Sequence, residues 1–255
     1  MPIWDPDRYL QFADDRARPY LDLIAQIPIA PTMIVDLGCG PGHLTRHLRA
    51  RWPETQVLGI DSSDKMVDQA IRDNTDPLAN YDIADVTSWS PNQTVDLFLS
   101  NAVFQWIPDQ FAVIERLLGH LSDVGAFALQ VPDNADAPTH RSLMELADEP
   151  PFAEPLGEVR RVGPLDAQQY LEFFTAHDFD TNAWSTTYLH VLDGADPVYD
   201  WISGTVARPY LQALDGELRD RFVTELKARL HEAYPPGPSG TVLPFRRTFA
   251  VATRR

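Results

Sequence analysis

With 255 residues the chain exceeds the usual ~100–200 residues of one domain and falls short of two large ones, so one core domain with a smaller appendage is expected. Its 44% hydrophobic and 23% charged residues exclude a disordered, collagen-like or coiled-coil protein. The 37 acidic against 21 basic side chains give a net charge of −16, which argues against nucleic acid and anionic lipid as partners.

No secretion signal precedes Trp4, and no run reaches the ~18 apolar residues that span a bilayer. A cytoplasmic protein with no membrane partner is expected. The run Met33-Ile34-Val35, closed by Asp36-Leu37-Gly38, reads as a buried strand ending in a turn. Leu44, Leu48 and Trp52 follow at helical spacing until Pro53 stops them. Val57 to Ile60 is a second strand, and Ser62-Ser63-Asp64 supplies cap chemistry for a helix through Met66, Ala70 and Ile71. Tyr81 to Ala84 and Val95 to Ser100 read as the third and fourth strands. An amphipathic helix, Phe111 to Leu121, then precedes the strand Ala126 to Val131. Such alternation predicts a doubly wound, mostly parallel sheet.

Beyond it, residues 132–165 are proline-rich and acidic and read as an insertion. A helix over Asp166 to His177 leads to a strand from Trp184 to Val191. Residues 195–235 form a helical excursion, clearest in Leu218, Phe222, Leu226, Leu230 and Tyr234, and residues 242–253 form a closing strand. Arg208, just before Pro209, reads as part of a loop between helices. Residues 1–199 carry 31 acidic and 12 basic groups, whereas residues 200–255 carry 6 and 9, so an anionic ligand would be sought toward the C-terminus. Only Lys65 and Lys227 are lysines; the Arg excess suits bidentate grip of carboxylates, although codon composition explains it equally well.

Gly38-Cys39-Gly40-Pro41-Gly42 follows the first strand and opens a helix, so its backbone can approach a ligand at the carboxyl edge of the sheet. The spacing is GxGxG and departs from the GxGxxG of dinucleotide enzymes. Asp61 ends the second strand, where a carboxylate can accept both ribose hydroxyls, and Asp85 ends the third, where one can accept an exocyclic adenine amine. Cys39, the only cysteine, excludes an internal disulfide and reads as a space-filler. His43 and His47 have metal-compatible i, i+4 spacing without a third ligand, so no metal is expected.

The set Val35 to Gly42, Gly59-Ile60-Asp61-Ser62-Ser63, Ala84-Asp85-Val86 and Asp96 to Trp106 resembles the class I S-adenosylmethionine-dependent methyltransferases. The resemblance implies a Rossmann-like seven-stranded sheet in a single domain. Within it, residues 1–30 would be a helical cover, 31–131 the cofactor-binding core and 195–235 a substrate lid. It implies S-adenosyl-L-methionine as cofactor, held by Tyr9, Arg16, Asp36, Gly38, Gly40, Gly42, Asp61, Ser62, Met66, Asp85, Val86, Asn101 and Trp106. Further matches at Trp4 to Leu10, Arg16 to Pro19, Asn101 to Asp109, Trp184 to His190, Asp200 to Ile202 and Pro244 to Phe249 are similar to the branch that esterifies a small unsaturated tricarboxylate, trans-aconitate.

A carboxylate is already ionised near neutral pH, so its methylation needs no general base. Rate would come from alignment and exclusion of water, with Arg, Tyr and His replacing the water removed. Trp4, Tyr9, Tyr188, His190, Arg208, Tyr210 and Arg246 are the expected donors to a small anionic substrate. Arg246 and Arg247 are adjacent on a strand and face opposite ways, so at most one faces a ligand. A monomer or weak homodimer is expected. Spacing and order alone reach an adenosine-cofactor transferase, leaving another carboxylate or hydroxylated acceptor, or a non-catalytic cofactor-binding module, open.

Overall fold

The computed structural model describes residues 13–157, 159, 163 and 165–255. They divide into two compact units. One, the sheet unit, comprises the described residues within Ile3–Asp133, Val162–Thr186 and Arg247–Arg255; the other comprises those within Asn134–Arg161 and Thr187–Arg246.

The chain runs α1 (Ala13–Ala25), β1 (Met33–Leu37), α2 (Thr45–Arg51), β2 (Gln56–Asp61), α3 (Asp64–Asp73), β3 (Ala79–Ile83), β4 (Val95–Asn101), α4 (Gln110–Leu118) and β5 (Leu121–Pro132). It continues through α5 (Pro138–Ala147), α6 (Ala153–Leu156), α7 (Ala167–Ala176), β6 (Phe179–Leu192), α8 (Pro197–Ser203), α9 (Arg208–Ala213), α10 (Gly216–Ala233) and β7 (Thr241–Arg254). The seven strands take the order β3-β2-β1-β4-β5-β7-β6. Neighbours from β3 through β5 are parallel, and β7 runs antiparallel to β5.

This order follows from where the apolar runs lie. Ile34, Val35, Leu37, Leu97, Phe98, Leu99 and Ala126 to Leu129 are wholly buried, as strands covered on both faces must be. Phe98, Phe104 and Phe174 all pack against Phe127, with ring centroids 5.7–5.9 Å apart. Helix α7 starts at a full capping box between Asp166 and Gln169, and Tyr170 donates a hydrogen bond to Gln110 on α4. Chain order reverses at β1, which has β2 on one side and β4 on the other. The carboxyl ends of β1 and β4 therefore flank the crevice where such sheets bind ligands.

Residues 132–165 hold α5 and α6, and Leu143, Leu146, Leu156 and the cap residue Phe152 are completely buried. Two expectations are corrected. Arg208 is the first residue of α9 rather than part of a loop, since Pro209 in the first helical turn lacks only an N–H that would be unpaired there. Strand β6 starts at Phe179, five residues before Trp184, after Asp178 reverses the chain at φ 71°.

In the second unit α10 presents Phe222, Leu226 and Leu230 on one buried face. Phe222 meets Phe152 edge to face at 5.0 Å. Asp196 receives Lys227 Nζ at 2.7 Å and His231 Nε2 at 3.0 Å, joining the start of α8 to α10. Because Phe222 is wholly buried, Phe222→Ala is expected to destabilise this unit by about 3–5 kcal/mol. Urea unfolding should show it as an earlier transition than in the unaltered protein; an unshifted curve would contradict this packing.

Candidate active site

The glycine loop leaves β1 and turns over the end of β2, where Ile60 C=O accepts the N–H groups of Gly38 at 2.7 Å and Cys39 at 3.0 Å. Gly38, Gly40 and Gly42 all have positive φ, but their surroundings differ. A Cβ on Gly38 would fall 2.2 Å from Val103 Cγ2, and one on Gly42 would fall 2.8 Å from the Tyr81 hydroxyl. Those two glycines admit close packing. A Cβ on Gly40 would meet nothing within 4 Å, so this half-buried residue leaves room for a ligand to approach the loop's backbone. Cys39 is buried against Gly59 and Tyr81, and burial raises its thiol well above the ordinary value, so it fills space.

Asp61 closes β2. Its Oδ2 accepts the Gly40 N–H at 3.0 Å and its Oδ1 the Ser63 N–H at 2.9 Å. The Ser62 N–H also bonds this carboxylate, whose roughly four lone-pair directions still leave an acceptor for a ribose hydroxyl. Burial raises the Asp61 pKa while these backbone donors oppose the rise. Ser62 is exposed and Met66 is buried on α3. Asp85 lies two residues beyond β3; its Oδ1 accepts both the N–H and the hydroxyl of Thr87, while Oδ2 has no partner among the described residues. Val86 is buried, and its carbonyl accepts Arg116 Nη2 at 2.7 Å. Arg116 also donates to Trp89 C=O and so pins the loop after β3.

Asn101, the last residue of β4, and Trp106 beyond it are half-buried. Ala102 takes φ 61°; its N–H donates to Gln130 C=O at 2.8 Å, and its C=O accepts Gln105 Nε2 at 2.7 Å. Two side chains overlooked in the sequence reach this region. Gln130 Nε2 donates to Asn101 Oδ1 at 3.1 Å, and buried Arg247 donates Nη1 to Gln130 Oε1 at 2.8 Å. The available signal was a lone glutamine in the apolar run Ala126 to Val131. Arg247, not Arg246, is the inward member of the arginine pair; Arg246 is exposed.

In the second unit Tyr188, His190 and Tyr210 are buried and Arg208 is half-buried. The His190 ring lies 4.4 Å from Trp201 and 6.1 Å from Phe245, so those three are brought together. Arg246 exchanges backbone hydrogen bonds with the Asn134 amide at 2.9 Å. Trp4 and Tyr9 lie outside the described residues, as does the side chain of Arg16 on α1. His47 lies 6.5 Å from the Tyr20 ring, and desolvation lowers its pKa. Among the described residues no group of three His, Cys, Asp or Glu could hold a metal.

Asp36 on β1 is buried beside the loop. Burial, with the Asp61 charge, pushes its pKa from 3.8 up to about 7. The folded protein then holds a proton that the unfolded chain releases, so this group lowers stability as pH rises from about 4 to about 7, and the full penalty remains above that. Asp36→Asn removes the buried charge. It is expected to be more stable than the unaltered protein at pH 8 by up to about 4 kcal/mol, the gain shrinking toward pH 4, as read by urea unfolding at several pH values. A gain independent of pH would contradict the assignment.

Residues 34–125 match the family described as "Methyltransferase domain". A relative named trans-aconitate 2-methyltransferase from Streptomyces coelicolor is 44% identical over 265 residues, covering 99% of this chain and 87% of the relative. Relatives of the same name from Methylobacterium nodulans, at 42% identity with 100% and 99% coverage, and Agrobacterium fabrum, at 38% with 99% and 99%, match equally fully. Among solved structures, the YcgJ protein of Bacillus subtilis superposes with a TM-score of 0.59 at 13% identity, covering 95% of this chain and 99% of that one. Coclaurine N-methyltransferase gives 0.58 at 15%, covering 93% and 72%; at these identities both are similar in fold alone. Identity at this level along nearly the full length of both partners places the chain in the trans-aconitate 2-methyltransferase family.

Proposed function

We propose that this protein transfers a methyl group from S-adenosyl-L-methionine to one carboxylate of trans-aconitate, giving the monomethyl ester. The observation that carries the reading is the open Gly40 backbone hydrogen-bonded to Asp61 at the switch point of the sheet, in a chain of this family. When bound, S-adenosylmethionine supplies an electrophilic methyl carbon on a positively charged sulfur.

The protein's own residues then have limited work to do. Asp61 accepts the ribose hydroxyls, Asp85 Oδ2 accepts the adenine amine, and Val86 with Met66 supplies apolar contact. Gly40 lets the backbone approach, while Asn101 and Trp106 border the methyl-bearing end. No residue removes a proton, because the attacking carboxylate is ionised. Water must be stripped from an anion of up to three charges, and only strong donors make that tolerable. Arg208, Tyr188, His190 and Tyr210 are assigned this part, with Arg208 supplying the planar two-point grip. Arg246 and the segment holding Trp4, Tyr9 and Arg16 are further candidates for ligand contact.

Incubation with methyl-labelled S-adenosylmethionine and trans-aconitate should yield a base-labile labelled ester. Arg208→Met is expected to raise KM for trans-aconitate by about tenfold or more, as loss of a charge-assisted hydrogen bond does, with a smaller change in kcat. No labelled ester from trans-aconitate while another metabolite is methylated would overturn the substrate; an unchanged KM in Arg208→Met would overturn the role of Arg208.

A further inference from the structure

We infer that Arg247 and Gln130 are positioning residues that make Asn101 a dedicated hydrogen-bond donor to a ligand carboxylate. Donor and acceptor parity fixes the relay. Arginine has only donors. Buried Arg247 directs Nη1 to Gln130 Oε1 at 2.8 Å, so the Gln130 amide must turn its oxygen to β7 and its nitrogen to β4. That nitrogen donates to Asn101 Oδ1 at 3.1 Å and fixes the Asn101 amide with its oxygen toward Gln130. The group turned away from Gln130 is Nδ2, a pure donor without a partner among the described residues, on a half-buried residue at the carboxyl end of β4.

A lone asparagine can flip its amide and serve either polarity. Here the fixed charge on β7 removes that choice. The backbone keeps the relay in line, since Asn101 and Gln130 are register partners in the β4–β5 pair. The next residue, Ala102, is held at φ 61° by hydrogen bonds at both its N–H and its C=O. A donor locked in this way favours a carboxylate over an amine or a hydroxyl hydrogen. The nature of the ligand rests on the function proposed above. Its carboxylate could belong to the amino-acid end of the cofactor or to the acceptor.

Gln130→Glu tests the relay, because glutamate still pairs with Arg247 but can only accept, which forces Asn101 to turn Nδ2 inward and present oxygen to the ligand. Carboxylate binding is expected to weaken by about tenfold or more, with the thermal midpoint close to that of the unaltered protein. Calorimetry with S-adenosylhomocysteine and its decarboxylated analogue, together with KM for trans-aconitate, separates the sources. A loss for the first ligand alone assigns the cofactor carboxylate, and a loss in KM alone assigns the acceptor. In an Asn101→Ala background the same substitution should add nothing. The Asn101 side-chain amide resonances of the ligand-free protein should also move in Gln130→Glu. Should that variant fail to fold, Arg247→Gln, which lets the amides flip, must give the same loss. Unchanged affinities, or an equal loss without the Asn101 amide, would overturn the relay. Normal S-adenosylhomocysteine binding with no methylated carboxylate would instead overturn the proposed function, and calorimetry would still decide the relay.

Discussion

The hydrogen bond from Gly40 N–H to Asp61 Oδ2, at 3.0 Å, joins the loop leaving β1 to the end of β2 and fixes the arrangement of this carboxyl edge of the sheet. It orients a carboxylate that burial would otherwise turn toward its neutral form, and it holds the one glycine of this loop whose missing side chain leaves open space. The flanking glycines serve the same end by packing. Gly38 receives Val103 from the loop after β4 and Gly42 receives Tyr81 from β3, so the three strand ends that frame the crevice lock into one another.

This arrangement works against stability. Asp36 and Asp61 place two acidic groups in the interior at the same edge, and burial raises both pKa values. A region selected for stability alone would carry neither charge, whereas a site for a cationic sulfonium gains from negative potential nearby. The net charge of −16 agrees: the acidic excess lies in the first 199 residues, and the last 56 carry more basic groups than acidic ones. A polyanionic acceptor is thus compatible with an acidic protein, provided its donors are local arginine, tyrosine and histidine side chains rather than a broad basic surface.

Much of this was legible in the sequence because it depends on short-range order. A strand, a glycine turn and a helix, followed by acidic residues at the ends of the next two strands, defined the sheet and the carboxyl edge from local spacing. Side chains whose partners are distant in sequence escaped. Arg247 and Gln130 are 117 residues apart, and only strand order makes them neighbours. In the second unit the face of Phe222, Leu226 and Leu230 was legible, whereas helices α5 and α9 were not. Prolines counted as composition suggested an insertion around Pro138 and a loop at Pro209, but both lie in first helical turns, where proline is favoured. Tyr188 and His190 were identified as candidates, yet their burial beside exposed Leu189 and Val191 emerged only with the pleat of β6.

Calorimetric titration of S-adenosylhomocysteine into the unaltered protein and into Asp61→Asn tests the central claim most directly. Asparagine keeps the volume of Asp61 but loses its charge and half of its accepting capacity for the ribose diol and the Gly40 N–H. Binding to the unaltered protein should be measurable, and Kd should rise about 10- to 100-fold in the variant, the usual effect of losing hydrogen bonds to a charged acceptor. Equal affinity in the two proteins would contradict it.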